Sequence, residues 1–472
     1  MIFKVFGPPG TGKTTHLINI AKEYIEQGVP LHRIGYFAFT RKAANEAKNR
    51  MPYDNKKLPY FQTLHSLAFH TLGLSEDSVM QPYHYDDLGK ILNIRVHHMD
   101  KLNDSETFYL TSDNLYFQLI GRAKNKDISF EQEYNSGDYS IEEIDFDVLS
   151  HIGVNLEQYK EKNKLIDFND MIHQFIKQEE KCPEFDVVFI DEAQDLSPIQ
   201  WKMFDILQKK SRHIYLAGDD DQAIYSWAGA DVDRFISQEC EEEIVLDQSR
   251  RVPFAIQEVS ETILERIQGK RKKKKYKPKQ QEGRVEKILD ISQVDLTQGN
   301  WLILARTGSR LKNVMDLLKE QGIYYQTKKG KSFKVKLYKA SVNYRKNANL
   351  TEAEMKDILE YTNGKKPDST PWYEAFVNAD YEDISYIRFM EDNNENLNMD
   401  ARVRLSTIHA AKGGEEDNVI LILDNARKIR KAVLDNQNKK DEEHRVWYVG
   451  ATRAKQNLYL HLAKIERNGY QL

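Results

Sequence analysis

The sequence predicts an α/β protein with two cores of parallel sheet and flanking helices, each interrupted by an inserted subdomain. Three observations predict it. The chain starts with a strand, a Gly/Pro loop and a helix; a βα rhythm then stops and resumes twice; and 472 residues exceed what one hydrophobic core usually fills.

The opening strand is Ile2-Phe3-Lys4-Val5-Phe6, and a helical pattern starts near Thr14 with Leu17, Ile18 and Ala21 on one face. A second strand, Ile34 to Thr40, leads into the Ala-rich helix Arg41 to Met51. From about Tyr83 to Lys164 the chain is polar, acidic and aromatic, with helical patterning and no strong strand, which reads as an insertion. The rhythm resumes at Val187-Val188-Phe189-Ile190 and Ile214-Tyr215-Leu216-Ala217. A second βα series is expected to begin near Ile244, to include Trp301-Leu302-Ile303-Leu304, and to return with Val419 to Leu423 and Leu458 to Leu460. The expected organisation is therefore 1–82 with 165–245 as the first core and 83–164 as its helical insertion. The second core is 246–332 with 401–472, and 333–400 is a smaller insertion, mainly helical or mixed.

Hydrophobic residues make up 40% and charged residues 30%, a globular balance. No apolar run approaches the ~18 residues of a membrane span, and the first residues do not read as a signal peptide. Two cysteines, Cys182 and Cys240, suit neither a disulfide framework nor a zinc site. The expectation is a cytoplasmic protein, of a bacterium or a phage-infected cell, with no membrane partner. A net charge of −4 gives no global signal for nucleic acid. The local exception is the basic run Lys270 to Lys275 with Lys277 and Lys279, read either as a solvated loop or as a set of phosphate contacts.

Gly7-Pro8-Pro9-Gly10-Thr11-Gly12-Lys13-Thr14 fits G-x-x-x-x-G-K-[ST] between a strand and a helix. The glycines let backbone N–H groups wrap phosphates, and the helix N-terminus adds a favourable dipole. Lys13 is expected at the β/γ-phosphates and the Thr14 hydroxyl on Mg²⁺, with Thr15 beside them. The strand ending at Ile190 leads into Asp191-Glu192, placing a metal-ligating carboxylate (Asp191) and a base for the attacking water (Glu192) where phosphoryl chemistry needs them. Gln222, after the next strand, is expected to sense the γ-phosphate. Arg251 and Arg453 are the candidates for arginines that stabilise developing charge.

With these motifs in order, the chain resembles the superfamily 1 DNA helicases of the UvrD/Rep/PcrA type. Further segments carry the resemblance: Tyr36 to Ala44, Thr63 to Ala68, Asp167 to Met171, Ile224 to Ala230, and Leu405 to Glu415. It implies two RecA-like P-loop NTPase cores with ATP and Mg²⁺ in the cleft between them. Arg251 and Arg453 would act from the second core, and Glu415 would touch the ribose. Single-stranded DNA and single/double-strand junctions are the implied partners, with Phe39, Thr40, His65, Tyr225, Trp227 and His409 as DNA-binding residues. Tyr225 and Trp227 are expected to stack on bases. Ala410-Ala411-Lys412-Gly413 resembles the 3′→5′ members.

This chain departs from the family pattern at three places. Six residues precede Gly7, leaving no room there for the family's upstream adenine reader, so adenine preference is expected to be loose. Arg250 stands where an aromatic residue usually stacks on the base, and Ala228 stands where an arginine often follows the tryptophan. A single-strand translocase that strips proteins without processive unwinding shares every motif. A switch or kinase is disfavoured by the two arginines and by Tyr225 with Trp227.

Overall fold

The structure is a computed structural model and describes residues 1–96, 114–136, 144–434 and 436–472. Among these, the first sheet has six strands: β1 (Ile2–Phe6), β2 (Ile34–Phe37), β3 (Phe61–Gln62), β4 (Phe185–Ile190), β5 (Ser211–Gly218) and β6 (Glu242–Val245). They run in the order β3-β2-β4-β5-β1-β6, and every neighbouring pair is parallel. A parallel sheet covered on both faces selects continuous apolar strands. In β4, Val187 to Ile190 are at most 1% exposed, and each such side chain contributes about 1.5–3 kcal/mol of burial.

Register decides where the site lies. Phe6 pairs with Gly218, Ile190 with Leu216, and Phe37 with Ile190. The loops after β1, β2, β4 and β5 therefore emerge side by side at the carboxyl edge of the sheet, where ligands bind in open α/β folds.

The second sheet runs β12-β11-β13-β10-β14-β15-β9. Its strands are β9 (Arg284–Ile288), β10 (Trp301–Ala305), β11 (Tyr325–Thr327), β12 (Gly330–Lys331), β13 (Val403–Thr407), β14 (Glu416–Ile422) and β15 (Ala454–His461). All pairs are parallel except the β11/β12 hairpin. A separate parallel ribbon joins β7 (Gln248–Pro253) to β8 (Lys277–Lys279). The two sheets with their flanking helices are the two RecA-like cores of the expected α/β class.

Among the described residues, the two segments expected as insertions carry helices. Residues 83–164, of which 97–113 and 137–143 lie outside the described residues, overlap helices Pro82–Leu92, Leu115–Lys126, Phe130–Asn135 and Phe146–Asn163. Residues 333–400 form helices Val335–Lys346, Glu352–Tyr361, Trp372–Ala375 and Tyr381–Asp392.

The second series does not begin near Ile244. β6 is a parallel neighbour of β1, with Ile244 opposite Val5. The chain forms two compact units, Met1–Gln281 with Val433–Thr452, and Glu282–Ala432 with Arg453–Leu472. Residues 246–281 and 433–452, expected in the second core, thus fall in the first unit. The physical reason is local: β7 bonds to the phosphate loop, and helix Gln437–Ala451 packs on helix Phe254–Leu264 and on the turn Asp220–Gln222.

Candidate nucleotide and nucleic-acid site

The phosphate loop continues the sheet ladder, with Gly7 N donating to Gly218 O at 3.0 Å. It then turns through Gly10 (φ +74°) and Gly12 (φ +85°) into helix Lys13–Glu26. These left-handed conformations favour glycine. At Gly7 the reason is space, because a Cβ there would lie 1.9 Å from Lys13 Cγ. Lys13 Nζ donates to Gly7 O at 3.1 Å and lies 3.6 Å from Glu192 Oε1. Thr11 Oγ1 donates to Pro8 O at 2.8 Å, closing the loop on itself.

Thr14 Oγ1 donates to Asp191 Oδ2 at 2.8 Å, and Tyr36 O–H donates to the same oxygen at 2.8 Å. Burial, with the Glu192 carboxylate beside it, raises the Asp191 pKa. Burial and then Asp191 hold Tyr36 well above the ordinary phenol value, so it stays a donor. An oxygen-only set of a hydroxyl and a carboxylate, next to a second carboxylate, fits a hard divalent cation such as Mg²⁺.

Glu192 sits at φ +59°, and its N–H donates to Asp191 Oδ1 at 3.0 Å. Gln194, fully buried, ties this end of β4 to the end of β5. Its Nε2 donates to Glu192 Oε2 at 2.5 Å, and its Oε1 accepts from Asp219 N at 2.9 Å. Asp219 Oδ2 in turn accepts from Gln222 Nε2 at 2.7 Å. Glu192 and Gln222 are thereby linked through Gln194 and Asp219.

Arg251 belongs to the same compact unit as the phosphate loop, not to the second core. Ser249 Oγ donates to Pro9 O at 2.8 Å, and Arg250 N donates to Gly10 O at 2.9 Å. Ser249 Oγ also accepts from Arg251 N and Val252 N, at 3.2 and 3.0 Å. These bonds seat Arg251, half-buried, against Gly10, while Arg250 is exposed. Thr15 is exposed and accepts from Arg50 Nη1 at 3.1 Å.

The expected DNA-facing residues divide by burial. Tyr225 is 3% exposed and stacks on Phe39 with centroids 5.4 Å apart. Its ring thus has an aromatic partner within the protein. His65 is likewise buried, at 6% exposed, and burial, then Arg41, lowers its pKa to about 4. Phe39, Thr40 and Trp227 are half-buried. Thr40 Oγ1 caps helix Arg41–Asn49 by accepting from Ala43 N at 3.0 Å. The Trp227 loop is held from the helical insertion, where Arg122 Nη1 and Asn125 Nδ2 donate to the carbonyls of Trp227 and Ala228 at 3.5 and 3.4 Å.

In the second unit, Glu415 is exposed and His409 half-buried. Arg453 is 1% exposed, and its Nη1 donates to Gly414 O at 3.2 Å.

The basic run is neither wholly solvated nor wholly available to phosphates. Lys273, Lys275 and Lys277 are exposed, whereas the Lys274 side chain is 2% exposed and lies on the buried carboxylates of Asp219, Asp220 and Asp221. Arg271 is bidentate to Asp221, with Nε 2.8 Å and Nη2 2.9 Å from its oxygens. Sequence reasoning missed Tyr36, Gln194, Arg271 and Lys274. The signal for the last two was the pairing of a basic run with three consecutive aspartates, each an unlikely buried group unless the other is present.

Comparison with known proteins agrees with this geometry. Residues 2–243 match the family model for the UvrD/REP helicase N-terminal domain. The ATP-dependent DNA helicase PcrA of Staphylococcus aureus (strain Mu50) is 25% identical over 246 residues, 49% of this chain and 33% of the relative. PcrA of Staphylococcus epidermidis (strain ATCC 12228) is 26% identical over 247 residues, again 49% and 33%. The match thus spans about a third of the length of these curated relatives. The crystal structure of Arterivirus nonstructural protein 10 (helicase) aligns over 97% of this chain and 59% of that one, at 11% identity. Its TM-score of 0.36 is too low to carry an argument. The family model covers just over half of the chain, from the start of β1 into β6, and the chain belongs to the UvrD/REP helicase family.

Proposed function

We propose that this chain is an ATP-dependent DNA helicase that translocates on single-stranded DNA, 3′→5′, and separates duplex strands from single/double-strand junctions. The observation that carries the reading is the continuous network from Lys13 and Thr14 through Asp191, Glu192, Gln194 and Asp219 to Gln222. It joins residues suited to phosphate binding, water activation and γ-phosphate sensing at one sheet edge.

Lys13 releases Gly7 O and Glu192 to meet the β/γ-phosphates, and the glycine-rich loop wraps them with backbone N–H groups. Thr14 and Asp191 would hold Mg²⁺, which when bound neutralises phosphate charge. Glu192 orients the attacking water and accepts its proton, while Gln194 fixes the carboxylate. Gln222 reports the γ-phosphate to the loop that carries Trp227, five residues on. Arg251, seated on Gly10, offers a guanidinium to the transferring phosphoryl group, and Arg250 a plane to the purine. Phe39, Thr40 and Trp227 form the track side.

The test combines two assays. ATPase rate with and without single-stranded DNA is measured for wild type and Lys13→Ala; stimulation in the first and a loss of about 100- to 1,000-fold in the second are expected. Strand displacement on 3′- and 5′-tailed duplexes then decides the rest. Unwinding only from a 5′ tail refutes the polarity, and DNA-stimulated hydrolysis without displacement identifies a translocase that does not unwind.

A further inference from the structure

We propose that Lys274 and Arg271 are positioning residues for nucleotide hydrolysis, acting through Asp219 to hold Gln222 in place. The inference rests on the reading of Gln222 as the γ-phosphate sensor and extends it to a segment 50 residues away.

Asp219, Asp220 and Asp221 each offer a carboxylate oxygen within 4.8 Å of the others, and all three residues are at most 1% exposed. Three like charges this close, away from water, repel strongly, and the turn that carries them opens unless a cation is present. That cation is the chain's own. The Lys274 ammonium lies 3.0 Å from Asp219 Oδ1 and 3.0 Å from Asp221 Oδ2, and it donates to Asp220 Oδ1. Arg271 takes both oxygens of Asp221, and Lys272 N donates to Asp220 Oδ2 at 2.7 Å. Helix Gln437–Ala451 closes the set, because Arg445 donates to the Asp220 and Lys270 carbonyls, both at 3.1 Å. Burial opposes the charge on Lys274, but the aspartates outweigh it and raise its pKa, so the ammonium is retained.

An ion cluster of this kind is structural unless something functional hangs from it. Here Asp219 is shared: Oδ1 faces Lys274, Oδ2 accepts from Gln222, and its N–H donates to Gln194, which holds Glu192. Fixing the Asp219 carboxylate therefore fixes the Gln222 amide, while Gln194 and Glu192 hang from the Asp219 backbone N–H and do not depend on that carboxylate. Loss of Lys274 lets Asp219 rotate without removing any group that touches nucleotide.

The test is a double-mutant cycle on the whole chain, reading kcat, KM and the affinity for a fluorescent ATP analogue. Lys274→Met is expected to lower kcat by up to about 100-fold, the range a misplaced catalytic group produces. KM and analogue affinity should stay near wild type, and Lys274→Arg should recover part of the rate. Lys274→Met added to Gln222→Ala should cost nothing further. If Lys274→Met does not fold, the charge-balanced pair Lys274→Met with Asp220→Asn is read in its place, with the same expectation. A wild-type kcat in the folded Lys274 variant, or effects that multiply with Gln222→Ala, overturns the proposal while leaving Gln222 as the sensor. A wild-type kcat for Gln222→Ala alone overturns the sensor reading and this inference with it.

Discussion

Replacing Gly10 with alanine measures how closely the Ser249–Arg251 segment is seated on the phosphate loop. Gly10 has φ +74°, a left-handed conformation that costs a side-chain-bearing residue about 1–2 kcal/mol. The added Cβ would also lie 2.3 Å from Arg251 Cβ and 2.9 Å from both Arg251 N and Ser249 Oγ. Two of those three atoms belong to Arg251's backbone or Cβ and cannot swing away, so overpacking adds about 1–3 kcal/mol. Gly10→Ala is therefore expected to destabilise the nucleotide-free protein by about 2–5 kcal/mol. Gly12→Ala is the control. Its φ of +85° carries the same conformational cost, but the nearest atom to its Cβ is Thr15 Cβ at 3.9 Å, an ordinary contact. It should lose only about 1–2 kcal/mol. Urea unfolding of the two variants without nucleotide is the assay. Equal losses, or a larger loss at Gly12, would refute the seating of Arg251 on the loop.

Three further outcomes are expected. In the folded protein His65 takes a proton only near pH 4, whereas an unfolded chain takes it near 6.5. The stability it contributes is complete above pH 6.5 and is lost as pH falls towards 4, about 3 kcal/mol in all. His65→Asn should flatten the fall of Tm across that window; an unchanged slope would count against it. Gln194→Leu leaves the buried Asp219 N–H without its acceptor, costing about 1–3 kcal/mol. It should also lower kcat by loosening Glu192, and a wild-type kcat would show that Glu192 needs no such support. Trp227→Ala is expected to weaken single-stranded DNA binding by about 1–3 kcal/mol. Tyr225→Leu, removing a ring already stacked on Phe39, should weaken binding less than Trp227→Ala does, and the reverse order would refute the division by burial.

The residues legible in the sequence are those whose chemistry is local. Gly10, Gly12, Lys13 and Thr14 announce a phosphate loop because spacing along one turn dictates it, and Asp191 follows because a buried strand must end somewhere useful. Ile244 was not legible, since a short strand pairs with whichever edge is open and only the folded sheet shows that edge to be β1. Lys274 was not legible either. Within its run it is indistinguishable from Lys273 and Lys275, and its burial depends on aspartates that the fold brings from a different loop. Tyr225 and His65 follow the family's motif order, yet the motif says nothing about which rings close on one another.

The helix Gln437–Ala451 has a consequence for the order of events during synthesis. It belongs to the first compact unit, where Asp441 accepts from the N–H groups of Gln268 and Gly269 and Arg445 donates to the carbonyls of Asp220 and Lys270. Residues 1–281 leave the ribosome long before it, and the whole stretch 282–432 is made in between. A nascent chain that has just released residue 281 thus carries a phosphate loop but lacks one wall of the turn that bears Gln222. Domains made early usually complete themselves early. In this chain the first unit is completed only when residues 433–452 have emerged, after every strand of the second sheet but β15 has been translated.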